Sequence, residues 1–97
     1  MEYRIILTMA AEDDLRLAYS WYERIHHKLK DALAHDIDRT IKRFSLQPAY
    51  ASNQKNVRRI LLKKFPYALY YRIEENVVVI FSVFHSHQDP VKWQIRS

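Results

Sequence analysis

Three side chains in the second half of the chain could act on a phosphodiester bond. Arg59, Arg72 and His85 are two guanidinium groups and one imidazole, and each lies in a strand-like run. Attack by a ribose 2′-hydroxyl on the neighbouring phosphate needs a base, an acid and a cation for the developing charge. These three residues are therefore the candidate catalytic set of a metal-independent endoribonuclease.

The same residues also have a structural interpretation. A histidine at the end of a central strand beside aromatic side chains commonly has a hydrogen-bonding role, and Arg59 could be a scaffold or a partner contact. Strand parity groups His85 with Phe81, Val83 and His87 on one face. The register between strands cannot be read from the sequence, so convergence of the three candidates stays open.

Metal and cofactor sites find little support in the sequence. His85 and His87 lie two residues apart, but only Asp89 is near enough to complete a metal site. The chain has no cysteine, which excludes disulfides and thiolate metal sites, and no glycine, which excludes Gly-rich phosphate loops. We expect no metal and no cofactor.

The length of 97 residues suits a single domain spanning residues 1–97, and a hydrophobic content of 48% suffices for one core. The apolar run at the N-terminus is too short for a signal peptide, and no run approaches the roughly 20 apolar residues that cross a bilayer. We expect a soluble cytoplasmic protein with no membrane partner.

The net charge of +5 is unevenly placed. Residues 1–50 carry eight basic and eight acidic side chains, whereas residues 51–97 carry eight basic and three acidic ones. A one-sided positive field favours nucleic acid or an acidic protein as partner, although solubilising charge would look the same. The candidate partner-binding residues lie in this half: Arg58, Arg59, Lys63, Lys64, Trp93 and Arg96.

The first half of the chain is predicted to form a strand and two helices, which would position the candidate site residues. Residues 2–7 suit a first strand, and Thr8 can cap the helix that follows. The predicted buried stripe of this helix is Ala11, Leu15, Ala18, Tyr22 and Ile25, widened by Tyr19 and Trp21. A second helix is predicted over about 29–46, with the stripe Leu29, Leu33, Ile37, Ile41 and Phe44. Because the connection is short, the helices should form an antiparallel hairpin.

Three strands follow a polar loop over 49–56. They are predicted at 57–63, 66–73 and 77–85, and the last is nearly all apolar and should be central. Asn76 should take the positive φ of the final turn, because asparagine tolerates that conformation. The predicted fold is α+β, a helical hairpin on a mainly antiparallel sheet in the order β-α-α-β-β-β.

Several motifs of the chain resemble those of the RelE/ParE superfamily of toxins from type II toxin–antitoxin systems. They occur in family order: Ala10-Ala11-Glu12-Asp13-Asp14-Leu15 and Trp21-Tyr22, then Arg59 followed by Phe65-Pro66-Tyr67 and Tyr70-Tyr71-Arg72-Ile73, then Val83-Phe84-His85, Asp89-Pro90, Trp93 and Arg96. Many ParE-type members have His-Gly-x-Arg where this chain has His85-Ser86-His87-Gln88. The resemblance covers essentially the whole chain.

The resemblance implies a growth inhibitor that is neutralised by a cognate acidic antitoxin. Its target would be either DNA gyrase, inhibited without nucleolysis, or messenger RNA cut on the ribosome. The tyrosine of the usual RelE-type set is missing, since none follows Tyr71, which favours the gyrase-directed ParE-like activity. A third possibility is an antitoxin-binding module without toxicity.

Overall fold

A computed structural model describes residues 3–46, 52–54 and 57–86 of the chain. The predicted order of a strand, a helix pair and three strands is confirmed, with one short strand added before the last three. The elements are β1 (Arg4–Leu7), α1 (Met9–Ile25), α2 (His27–Leu46), β2 (Ser52–Gln54), β3 (Val57–Leu61), β4 (Tyr67–Glu74) and β5 (Val77–His85).

The helical hairpin is defined by its caps. Thr8 begins α1 as predicted, and its side-chain oxygen accepts a hydrogen bond from the Ala11 N–H at 3.2 Å. His26 ends α1 in an extended conformation, while its N–H still donates to the Tyr22 carbonyl at 2.9 Å. One residue therefore separates the helices, and α2 begins at His27, earlier than predicted.

The hairpin packs on the sheet through most of the predicted stripes. Ala11 and Ala18 of α1 are buried with Leu33 and Ile37 of α2, and the partly buried residues of both helices pack around them. No described helical residue between Tyr22 and Leu33 joins this cluster. The turn end of the hairpin therefore projects beyond the core.

That projection explains three wrong assignments. Trp21, Ile25 and Leu29 were predicted to be buried, but they expose 55%, 59% and 36% of their surface. Helical spacing predicts which residues share a side of a helix, but not where the partner surface ends. Across the described residues, no helix combines the length and apolar character needed to span a bilayer.

The strands form one sheet in the order β1-β5-β4-β3-β2. β1 runs parallel to β5, and the other neighbours are antiparallel. β5 is central as predicted, with seven of its nine residues buried. The loop predicted over 49–56 was wrong at Ser52–Gln54, which pairs with β3 as an edge strand. β2 pairs through backbone hydrogen bonds, which do not require apolar side chains. Its polar sequence therefore shows no strand pattern.

The strand ends differ slightly from the predictions. β3 ends at Leu61 rather than at residue 63, and β4 covers Tyr67–Glu74. The positive φ in the last turn belongs to Glu75, at 57°, and not to Asn76. Only the first residue of this two-residue loop adopts the left-handed conformation, although asparagine would accommodate it better than glutamate.

The sheet has two faces with separate apolar clusters. The hairpin face packs against α1 and α2. The second face carries a smaller buried cluster, Val57, Ala68, Tyr70, Phe81 and Phe84. A β-bulge in β5, opposite Tyr70 and Tyr71, makes Phe81 the extra residue, shifts the register and places Phe81 on the second face. The predicted grouping of Phe81 with Val83 and His85 was therefore wrong.

Candidate partner-binding site

The outer side of α1 carries an exposed apolar stripe formed by Leu17, Trp21 and Ile25. These residues are four apart and therefore lie along one side of the helix. Their exposed fractions are 72%, 55% and 59%. Single exposed apolar residues are ordinary, but three in register on one helix form a surface suited to a partner.

A groove of about 380 Å³ runs from this stripe to the end of β5. Leu17 and Trp21 form its helical side, and Tyr67 and His85 of the sheet lie opposite. The Arg24 guanidinium carbon lies 5.6 Å from the centroid of the Trp21 ring and adds a positive charge to the rim. The groove thus combines aromatic surface with a cationic edge.

Asp14 connects α1 to the part of β5 that extends past β1. β1 pairs with β5 only as far as Ile80, so the later residues of β5 extend past their parallel neighbour. The Val83 N–H donates to the Asp14 Oδ2 at 2.9 Å in this stretch. A carboxylate on an open strand edge satisfies a backbone donor and also hinders pairing with another strand. Asp14 thereby fixes the groove wall.

His85 lies among aromatic rings in the groove. It pairs across the sheet with Tyr67, and the two ring centroids are 5.5 Å apart in an edge-to-face contact. Tyr67 also meets Tyr22 of α1 at 6.3 Å. Burial, with a smaller contribution from Tyr22, raises the pKa of the Tyr67 hydroxyl above its usual range. These contacts agree with the structural interpretation of His85.

The candidate catalytic set is divided between the two faces of the sheet. Arg59 lies opposite Tyr70 of the second face, and Arg72 lies two residue pairs further along as a diagonal neighbour. The Arg72 guanidinium lies 5.8 Å from the Phe81 ring centroid and also pairs with Glu74. The structure therefore brings the two arginines to one face and places His85 on the hairpin face.

The other predicted binding residues surround β3. Lys63 and Lys64 are exposed in the turn between β3 and β4, and Arg59 is exposed on the second face. Arg58 is half-buried and pairs with Tyr71 of the hairpin face. Trp93 and Arg96 lie outside the described residues. The described basic residues thus form no single flat patch.

Asp36 of α2 holds the lysine-bearing turn. Its carboxylate is fully buried, accepts the Lys64 N–H at 2.8 Å and pairs with Arg39 at 3.0 Å. Burial acts to raise the pKa of this carboxyl, but the Lys64 and Lys63 N–H groups and the Arg39 guanidinium outweigh it and lower the pKa. An ionised Asp36 therefore fixes the turn against the hairpin.

The same turn also leads to a contact with α1. Phe65 packs on Tyr22 with ring centroids 5.1 Å apart. Lys63 and Lys64 therefore precede a residue that contacts the C-terminal half of α1.

Leu17, Asp14 and Asp36 were not predicted from the sequence as site residues. Of the three, only Leu17 could have been detected from the sequence. It is an apolar residue that does not share the helical spacing of the predicted buried stripe. The two carboxylates looked like ordinary solvated charges. Among the described residues no group of three histidines or carboxylates could hold a metal ion, and His87 and Asp89 lie outside them.

The sequence matches one protein-family model over residues 5–90, that of the ParE toxin of the parDE type II toxin–antitoxin system. The match begins in β1 and extends beyond β5, so it spans the hairpin and the whole described sheet. No protein of curated function matches the sequence significantly.

Two of the solved structures that share the fold come from toxin–antitoxin systems. One is from the chromosomal ParDE toxin–antitoxin system of P. aeruginosa, with 18% identity, a TM-score of 0.75, and coverage of 87% of this chain and 96% of that one. The other is from the toxin–antitoxin complex RelBE2 of Mycobacterium tuberculosis, with 20% identity, a TM-score of 0.56, and coverage of 88% and 99%. At these identities the likeness is one of fold.

Proposed function

We propose that this chain, which belongs to the ParE toxin family of type II toxin–antitoxin systems, inhibits growth by acting on DNA gyrase without cutting nucleic acid. In the same proposal, a cognate acidic antitoxin neutralises it by direct binding. The solved neighbours come from toxin–antitoxin systems, which supports an antitoxin as the partner. The choice of gyrase is supported by the separation of the candidate catalytic residues.

The separation of His85 from the two arginines is the observation that carries the target proposal. A general base must come within about 3 Å of the proton that it removes, directly or through one water. His85 faces α1, whereas Arg59 and Arg72 lie on the second face with the sheet between them. An imidazole and two guanidinium groups so arranged cannot act on one phosphate. A toxin without nuclease chemistry fits this arrangement.

The groove and stripe on α1 support antitoxin binding at the hairpin. An antitoxin segment with apolar residues on one side would cover Leu17, Trp21 and Ile25, which expose more than half of their surface. Acidic residues of the same segment would meet Arg24 on the groove rim and the lysines of the β3–β4 turn. Such complementary charge raises the rate and the specificity of association.

The basic residues around β3 are the remaining proposed contacts. Lys63 and Lys64 precede Phe65, which contacts α1 through Tyr22, so we expect an antitoxin segment on this part of α1 to contact the lysines as well. Arg59 lies on the other face and can be reached only by a second segment or by the target. Arg58 pairs with the hairpin face and lies between these two regions.

Purified proteins separate the possible targets. The chain is produced together with the product of the short acidic reading frame expected beside its gene, and is then freed from it. It is added to a gyrase supercoiling reaction and, in parallel, to a translation extract containing a reporter messenger RNA. We expect supercoiling to stop and the messenger RNA to stay intact.

Two variants complete the comparison. His85→Ala and Arg72→Ala should inhibit gyrase as wild type does, because neither residue has a catalytic role in this proposal. If the wild-type chain cuts the messenger RNA and either substitution abolishes the cutting, the gyrase assignment is refuted and the ribonuclease hypothesis is restored. Normal growth on expression of the chain without its partner would instead indicate a binding module without toxicity.

A further inference from the structure

The exposed apolar stripe of α1 is symmetric about Trp21. Leu17 and Ile25 have isomeric side chains and lie four residues before and four residues after it. All three lie on one side of the helix and expose more than half of their surface. A surface that contacts a second copy of itself about a twofold axis must be self-complementary. The stripe meets that condition when Trp21 lies at the axis.

The charges beside the stripe favour an antiparallel contact. Asp13 lies one turn before Leu17 and forms a surface pair with Arg16, and Arg24 lies against the Trp21 ring in the last turn of the helix. The separation of Asp13 and Arg24 is close to three full helical turns, so both flank the stripe on the same side. Two antiparallel copies of α1 bring the Asp13 of each chain toward the Arg24 of the other. Parallel copies would bring like charges to the same level.

The geometry and the size of the stripe define the contact further. Side chains spaced four apart form a ridge, and two such ridges interlock with the helix axes about 8–10 Å apart and crossed by about 50°. In the antiparallel pair, Leu17 of one copy faces Ile25 of the other, and the two Trp21 rings meet at the axis. The apolar patch of each copy is only a few hundred Å², less than the about 800 Å² per partner of a stable interface. The contact should therefore be weak and reversible.

We propose that two copies of the free chain associate through the stripe of α1, antiparallel and about a twofold axis at Trp21. Association shields from water an apolar surface that a single copy leaves exposed. The inference concerns the chain in the absence of an antitoxin, and it holds whichever target the chain inhibits.

Engineered disulfides test the orientation of the two helices. The chain has no cysteine, so each introduced thiol is unique. Leu17→Cys is mixed with Ile25→Cys in a glutathione buffer, and one of the two chains carries a tag that changes its size. We expect the mixed disulfide to form at least about tenfold faster than either single-type disulfide, because thiols that face each other in a complex react at a high effective concentration. A disulfide requires Cα atoms within about 7 Å, so it reports a direct helix contact.

Met9→Cys is the matched control. Met9 lies on the same helix and is 81% exposed, but the position that would face it in the antiparallel pair lies beyond the end of α1. Mixed with Ile25→Cys, it should form disulfides only at the rate of random collision. Equal rates for the Met9 and Leu17 mixtures would refute the proposal. Single-type disulfides that form faster than the mixed one would also refute it, because they would indicate a parallel contact.

Trp21→Ala removes the side chain at the proposed axis. In sedimentation velocity, the mass of the wild-type chain should rise from one copy toward two with concentration, whereas the variant should stay a single copy. Added to both cysteine chains, Trp21→Ala should lower formation of the mixed disulfide to the rate of the Met9 control. Association that persists unchanged in the variant would overturn the proposal. Urea unfolding verifies that each variant is folded, which we expect because the substituted side chains are exposed.

Discussion

At the level of single residues, Asp36 couples the helical hairpin to the lysine-bearing turn. Its carboxylate exposes no surface, and it holds a backbone N–H of the turn and the Arg39 guanidinium. A buried carboxylate is tolerated only when such partners replace its hydration. The positions of Lys63 and Lys64 relative to the hairpin therefore depend on one ionised side chain.

We predict that Asp36→Asn lowers the free energy of unfolding by about 2 kcal/mol, because it weakens charge-assisted hydrogen bonds in a buried site. Urea unfolding at neutral pH measures the loss. The matched control is Asp38→Asn, since Asp38 lies on the same helix, is 61% exposed and forms a surface pair with Lys42. It should change stability by less than about 0.5 kcal/mol. Similar losses in both variants would contradict the role assigned to Asp36.

The effect of Asp36 should also depend on pH. The pKa of its carboxyl is lower in the folded chain than in the unfolded chain, so ionisation stabilises the fold at pH values above the usual carboxyl range. That stabilisation is lost as the pH falls through the lowered pKa. The stability gap between wild type and Asp36→Asn should therefore be full near neutrality and shrink on acidification. A gap that widens in acid would contradict this sign.

Trp21 is the central residue of the exposed stripe on α1. We predict that Trp21→Ala weakens antitoxin binding about 30-fold, because a large aromatic side chain at the middle of an interface contributes about 2 kcal/mol. Calorimetric titration measures the affinity. Stability should change little, since the side chain is 55% exposed.

Met9 provides the control for that substitution. It lies on the same helix and is 81% exposed, but it is three turns away from Trp21 and does not line the groove. Met9→Ala should leave the affinity unchanged. If the two substitutions weaken binding equally, the antitoxin follows the whole helix and the groove is not its specific site.

At the level of elements, the turn between β4 and β5 contains a local strain. Glu75 has a φ of 57°, a conformation that costs a residue other than glycine roughly 1–2 kcal/mol. We predict that Glu75→Gly raises the free energy of unfolding by up to about 1 kcal/mol, after the added backbone entropy of glycine is subtracted. Thermal and urea unfolding both measure the gain. Asn76→Gly should not stabilise, because Asn76 has no positive φ; a gain there and none at Glu75 would contradict the assignment.

Whether a strand could be predicted depends on whether its burial leaves a pattern in the sequence. β5 was predicted with its observed bounds because its burial on both faces makes it apolar throughout. β2 was missed because a polar edge strand pairs through its backbone. The bulge at Tyr70 and Tyr71 was also missed, since one extra residue reverses the faces without changing composition.

The candidate site was less predictable than the fold. Residue types drew attention to Arg59, Arg72 and His85, but their grouping depends on strand register, which the hydrophobic pattern does not encode across a bulge. The exposed stripe of α1 could have been suspected from Leu17, which is out of phase with Ala11 and Ala18. Nothing in the spacing distinguishes Asp36 from its solvated neighbour Asp38.

At the level of the whole molecule, the lysine-bearing turn leads to a contact with the helix that carries the apolar stripe. The acidic and basic side chains of residues 1–50 balance, and the positive excess belongs to residues 51–97. The turn that carries Lys63 and Lys64 contacts the end of α1 through Phe65 and Tyr22. An acidic partner attracted by the lysines is therefore brought to the helix that carries the apolar stripe.

This arrangement predicts that the lysines act mainly on the rate of association. Lys63→Glu combined with Lys64→Glu should slow antitoxin association about tenfold at low ionic strength, because electrostatic steering raises association rates by at least that factor. The backbone N–H of Lys64 remains available to Asp36, so the fold should persist. Stopped-flow mixing at low and high salt measures the rates, and salt should abolish most of the difference because it screens exposed charges.

The control for this charge reversal is Arg43→Glu, in the last turn of α2, which removes positive charge away from the stripe. It should leave the association rate nearly unchanged at either ionic strength. A slowing by Arg43→Glu in proportion to its smaller change of charge would mean that net charge alone attracts the antitoxin. A change in dissociation rate without any change in association would mean that the lysines form buried contacts in the complex instead of steering the encounter.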